Sequence, residues 1–120
     1  MPTLVHFEIP ANDIDRARKF YAGLFGWEFN EIPDMDYWLI TTGGEKAAVG
    51  GGMMKRQNPE QSITNYIDVS SVDDYAAKIE ELGGKVVMPK TAIPGMGYFL
   101  IFMDPENNPL GIWEDDKEAK

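Results

Sequence analysis

One ordered pattern, a strand, a capped helix, a glycine and three further strands, occurs twice in this chain of 120 residues. In each copy, apolar residues alternate with period two in the predicted strands and recur at helical spacing in the predicted helix. Superposing the copies pairs Ile9 with Ile67, Ile14 with Val72, and Leu24 with Leu82. A chain that repeats its pattern in this way is predicted to form two similar modules of βαβββ order.

The pattern also gives approximate bounds for each element. The predicted strands of the first module are 3–9, 27–32, 36–42 and 47–54, and its helix is 13–25. The second module has predicted strands 64–69, 85–88, 98–103 and 109–114 and a helix at 72–82. We expect a single domain over residues 1–120, with module 1 at about 1–54, a polar linker at about 55–62, module 2 at about 63–115 and a charged, frayed tail at 116–120.

The composition excludes several classes of function. Twenty acidic residues outnumber 11 basic ones, giving a net charge of -9, whereas affinity for a nucleic-acid backbone depends on Lys and Arg. The absence of cysteine excludes disulfides and thiolate chemistry. No apolar run reaches the roughly 18 residues needed to cross a bilayer, and the first residues do not resemble a secretory signal. We therefore expect a cytoplasmic protein without nucleic-acid or membrane partners.

Four segments in this order resemble the vicinal oxygen chelate superfamily, the group of glyoxalase, bleomycin-resistance and extradiol-dioxygenase proteins. They are the opening Val5-His6-Phe7-Glu8-Ile9, the run Gly50-Gly51-Gly52, the helix end Leu82-Gly83-Gly84, and the turn Asp104-Pro105-Glu106-Asn107-Asn108-Pro109. The resemblance implies an α+β fold in which tandem βαβββ modules form a U-shaped, eight-stranded sheet around a cavity, with the helices outside. It also implies a homodimer.

The resemblance further implies four metal-ligand positions, of which this sequence fills one. His6 matches the first position, but Thr64 and Gly111 stand at two others, and the fourth falls near residues 51–53, where no carboxylate lies. Divalent metals in such sites need converging imidazole and carboxylate ligands. We therefore expect a metal-free branch with no cofactor, unless Glu8 or Glu114 acts as a relocated ligand.

The candidate site follows from strand alternation. His6 and Glu8 share one strand face and form a tentative acid and base pair. On the cavity side we expect the ligand-binding residues Met53, Thr64, Tyr66, Gly111 and Trp113, accompanied by Asp68. One of Tyr37 and Trp38 must face the same side, and the sequence leaves open which.

Two functional hypotheses follow from these residues. The first is a glyoxalase-like protein that binds a small apolar or aromatic molecule between the modules without a metal, because apolar pockets with a few polar groups are typical of ligand sites. The alternative is a lyase, isomerase or dioxygenase-type enzyme that uses His6 with Glu8, with or without relocated metal ligands. Whether the chain is an enzyme stays open at this point, since both classes share the fold.

Overall fold

The computed structural model of the chain describes residues 2–43 and 49–120. The elements in chain order are β1 (Thr3–Ala11), α1 (Ile14–Phe25), β2 (Glu28–Ile32), β3 (Tyr37–Thr41), β4 (Gly50–Lys55), β5 (Thr64–Asp68), α2 (Val72–Glu81), β6 (Lys85–Ile93), β7 (Gly97–Met103) and β8 (Pro109–Asp115). The two βαβββ modules predicted from the repeat and the α+β class implied by the resemblance are confirmed, and the aligned residues Ile14 and Val72 each begin a helix.

Contacts divide the chain into two compact units, of which the first covers residues His6–Thr64. Its strands are ordered β2-β3-β4-β1, with β1 and β4 parallel and the other neighbours antiparallel. Asp13 caps the start of α1 by accepting a hydrogen bond from the Arg16 backbone N–H, and Gly26 ends the helix in the left-handed conformation. The buried residues Ile9, Ala11, Ile40 and Met53 form the core, packed against by Ile14, Ala17 and Tyr21 of α1.

The second unit covers Asn65–Lys120 together with the start of β1, and its strands are ordered β5-β8-β7-β6. Here β5 and β8 are parallel, and β7 is antiparallel to both of its neighbours. Two side chains cap the start of α2: Ser71 accepts from the Asp74 N–H, and the Glu114 carboxylate accepts from the Val72 N–H at 2.8 Å. The core beneath α2 consists of Val69, Val72, Leu100 and Ile112.

Several bounds differ from those predicted. β6 continues to Ile93 instead of ending near Met88, because shifts in its pairing with β7 let the strand pass Pro89. Residues 47 and 48, the predicted start of the fourth strand, lie outside the described residues. The frayed tail was a wrong expectation: Ala119 is buried, and the backbone of 116–119 bonds to the turn at Gly95 and Met96.

No helix in residues 2–43 and 49–120 is long and apolar enough to cross a membrane.

Truncating the core leucine of the second unit tests this packing. Leu100 is 1% exposed, whereas Leu82 at the end of α2 is 79% exposed. We expect Leu100→Ala to lower the free energy of unfolding by about 2–5 kcal/mol, because it removes buried methyl groups and leaves a cavity. Leu82→Ala, with the same chemistry, should change it by less than about 0.5 kcal/mol. Equal losses in denaturant unfolding would contradict the described core.

Candidate functional site

The face of the first unit that points away from α1 carries a cluster of polar side chains. Strand register places His6 beside Gly50 and Glu8 beside Gly52, and Tyr37 follows on β3, paired with Met54. Because side chains alternate along a strand, these residues share a face opposite to the buried core. The sequence left Tyr37 and Trp38 unassigned; Tyr37 belongs to this face, whereas Trp38 packs on the α1 core beneath the Arg18 guanidinium.

The phenol of Tyr37 lies between the two residues predicted as an acid and base pair. Its hydroxyl donates to the Glu8 carboxylate at 2.8 Å and lies 2.7 Å from Nε2 of His6. The phenol has a single proton, which it gives to Glu8, so Nε2 of His6 must carry the hydrogen of the second bond. Neutral His6 is thereby held in the Nε2–H tautomer, with its basic lone pair on Nδ1.

Burial lowers the pKa of His6 below its ordinary value of 6.5, and the negative charge of Glu8 opposes part of that decrease. The imidazole is therefore neutral at physiological pH. A neutral imidazole oriented by a hydrogen bond is the form that accepts a proton or accepts a hydrogen bond from a ligand.

Glycine at position 52 makes this arrangement possible. The Tyr37 ring crosses β4 at Gly52, and a Cβ at this position would overlap the phenol. Gly51 on the opposite face accommodates the Phe7 ring in the same manner. The run Gly50-Gly51-Gly52 therefore admits two aromatic rings of the same module, one on each face of the sheet.

The donor set does not fit the four-ligand metal centre of metal-using relatives. His6 and Glu8 both bond to the Tyr37 hydroxyl. Within the described part of the chain, no three His, Cys, Asp or Glu side chains are grouped to hold a metal ion. Glu114, considered from the sequence as a relocated ligand, instead caps α2. The available residues therefore offer one imidazole and one carboxylate where such centres use four ligands.

The second unit presents an aromatic face on the side of its sheet away from α2. Tyr66 and Phe99 meet edge to face with ring centroids 6.2 Å apart, and Trp113 is the register partner of Phe99. Glycines lie against these rings: a side chain at Gly111 would overlap Tyr66, and one at Gly97 would overlap the Glu114 carbonyl and the Trp113 ring. Strand alternation correctly predicted the orientation of Tyr66 and Trp113 relative to α2.

Two expectations about ligand-binding residues need correction. Met53 is completely buried among the residues that pack under α1, so it faces away from His6 and Tyr37. Gly111 offers no open space to a ligand, because the Tyr66 ring occupies it. Thr64 begins β5, and its hydroxyl makes a long 3.5 Å contact with the Ser62 carbonyl.

Sequence reasoning left Tyr37 undecided and missed Phe99. Tyr37 and Trp38 are both aromatic, and only the register of β3 with β4 distinguishes them. Phe99 follows from the alternation of β7, in which Leu100 and Phe102 pack under α2 and Phe99 therefore points to the other side.

Replacing Gly52 by alanine tests the placement of Tyr37. The added methyl group overlaps the phenol, so we expect the free energy of unfolding to fall by about 1–3 kcal/mol, as for other overpacked sites. In a Tyr37→Ala background, Gly52→Ala should lower the free energy of unfolding by less. An equal loss in both backgrounds would contradict the contact between Gly52 and the Tyr37 ring. Gly23→Ala in α1, where nothing lies within 4 Å of the new atom, should stabilise the protein by about 0.5–1 kcal/mol.

The titration of His6 can be followed without ambiguity, because the chain has one histidine. We expect its NMR midpoint below 6.5, and a further decrease in Glu8→Gln, which removes the charge that raises the pKa. Since the unfolded chain binds the proton more readily, this histidine lowers stability as the pH falls below 6.5. The His6→Gln variant should not show this part of the loss of stability below pH 6.5. A midpoint at or above 6.5 would contradict the buried environment.

Comparison with known proteins agrees with this fold. The family model for the bleomycin resistance protein-like N-terminal region matches residues 3–43. The chain is 34% identical over 115 residues to a glyoxylase-like domain-containing protein of Didymella fabae, covering 88% of each protein. It is also 32% identical to the Mycobacterium tuberculosis protein CFP32, provisionally named a glyoxylase, over 92% of this chain but only 44% of that protein.

A solved structure of similar fold is a glyoxalase/bleomycin resistance protein/dioxygenase superfamily member from Vibrio splendidus. It superposes with a TM-score of 0.67 at 15% identity, over 97% of this chain and 100% of that one. The sequence relatives and the shared fold together lead to one conclusion: the chain belongs to the vicinal oxygen chelate superfamily of glyoxalase-like and bleomycin-resistance-like proteins.

Proposed function

We propose that this chain binds a small apolar or aromatic molecule and that it needs no metal to do so. The observation that carries the proposal is the aromatic face of β5–β8, formed by Tyr66, Phe99 and Trp113. Trp113 and Phe99 are partly exposed, and Asp68 adds a polar group beside them. Ligand sites typically combine a mainly apolar lining with a few placed polar groups.

The position of the core supports a binding role for these rings. The apolar core of this unit lies on the other side of its sheet, where Leu100 and Ile112 are buried under α2. On the opposite side of the sheet, Tyr66 is buried, whereas Phe99 and Trp113 keep part of their surface accessible. Partly accessible aromatic rings outside the core beneath α2 are a feature of interaction sites.

The donor set supports the metal-free part of the proposal. One imidazole and one carboxylate, both engaged by the Tyr37 hydroxyl, would compete poorly with water for a divalent ion. A cytoplasmic location and a homodimer also stay predictions of the sequence.

A second candidate function is a lyase or isomerase that uses His6 and Glu8 as acid and base. The observation in its favour is the hydrogen-bonded chain of His6, Tyr37 and Glu8, with a neutral imidazole at one end and a carboxylate at the other. Such an arrangement suits proton transfer. The glyoxylase names of the relatives point the same way, but this chain spans less than half of the mycobacterial protein.

A thermal-shift titration of chelator-treated protein with a panel of aromatic compounds tests the first proposal. A ligand at 100 times its dissociation constant should add about 2.7 kcal/mol of stability. Trp113→Leu should abolish the shift, whereas Val87→Ala, a half-exposed residue of β6, should retain it.

Parallel additions of zinc, nickel, manganese and iron test the metal-free part of the proposal. We expect none of them to stabilise the protein through His6. If a metal raises the melting temperature and His6→Ala removes the effect, the protein uses a metal site. If no aromatic compound stabilises the protein, the binding proposal fails.

A further inference from the structure

We infer that the Trp113 site selects positively charged organic ligands, that is, an ammonium group carried on a small aromatic or aliphatic framework. The inference rests on the proposed function and specifies its ligand class. It is carried by one juxtaposition: the rings of Trp113 and Phe99 stand in a row with the carboxylate of Asp68.

Strand register establishes this row. Trp113 on β8 is the partner of Asp68 on β5 and of Phe99 on β7, so the three side chains project from neighbouring strands on one face. Adjacent strands lie about 4.8 Å apart, so the side chains of Asp68 and Trp113 are neighbours on this face. Tyr66 packs edge to face on Phe99 and fixes the direction of that ring.

The carboxylate of Asp115 contacts the indole of Trp113 directly. Asp115 accepts a hydrogen bond from Nε1 of Trp113 at 2.7 Å, which holds the ring and adds negative charge at its edge. The faces of aromatic rings are electron-rich and attract cations, with Trp the strongest of the aromatic side chains. Two carboxylates beside Trp113 strengthen that attraction by ordinary Coulomb interaction.

The basic residues of this sheet do not offset the negative charge. Strands β5–β8 contain two, Lys85 and Lys90. Lys90 is engaged with Asp73 and lies over the Tyr98 ring, which packs on the α2 core. Lys85 pairs with Met103, at the opposite end of the sheet from Trp113. An anionic ligand would therefore meet two carboxylates without a lysine or arginine of this sheet to bind it.

Three compounds that share a phenol ring and differ in charge test the inference: tyramine as the cation, 4-ethylphenol as the neutral form, and 3-(4-hydroxyphenyl)propionate as the anion. Their dissociation constants are measured calorimetrically with the full chain at pH 7. We expect tyramine to bind about tenfold more tightly than 4-ethylphenol, a ratio typical of one cation–π contact together with one nearby charge. The anion should bind most weakly.

Variants separate the local site from the overall negative charge of the protein. Asp68→Asn should remove most of the preference for tyramine and leave the affinity for 4-ethylphenol unchanged. Asp74→Asn, an exposed carboxylate of α2, changes the net charge equally and should preserve the preference.

Each remaining outcome has a distinct meaning. Equal affinities for tyramine and 4-ethylphenol would overturn the inference while leaving the proposed function intact. A preference that both asparagine variants reduce equally would overturn it as well, since the net charge would then be responsible. Binding of none of the three compounds would overturn both the inference and the aromatic ligand class of the proposed function.

Discussion

Parallel pairing of the first and last strands organises each module. β1 pairs with β4, and β5 with β8, although a helix and two strands separate the partners in sequence. A parallel pair needs such a long connection, and the helix in it covers one face of the sheet. Each module therefore has an apolar face beneath its helix and a second face that is not needed for that core. The residues of both candidate sites lie on the second face.

The two second faces have different chemistry. In the first module, His6, Tyr37 and Glu8 form a hydrogen-bonded chain that fixes the tautomer of the imidazole. In the second, the corresponding strand carries Thr64 and Tyr66, and aromatic rings replace the polar chain. The two modules thus share a backbone pattern, whereas the faces away from their helices differ: one carries a hydrogen-bonded polar chain and the other carries aromatic rings.

The sequence alone predicted the repeat, both helices and the orientation of most strand residues, because these depend on local periodicity. It failed where pairing between strands decides the outcome. Met53 was assigned to the wrong face, since its glycine neighbours give no alternation by which to orient β4. Tyr37 could not be assigned because both it and Trp38 are aromatic, and only the register with β4 distinguishes them. The tail was misjudged from its charge, although the small residue Ala119 packs well.

The pairs formed by a glycine and an aromatic ring also limit how such a sequence can diverge. Gly52 with Tyr37 and Gly111 with Tyr66 each share a volume that one large side chain fills. A β-carbon at one of these glycines becomes acceptable only after its aromatic partner has become smaller, so a change at either position depends on the other. Among relatives, the identity of each pair should therefore be inherited as a unit, and a lineage that loses the ring gains the freedom to lose the glycine.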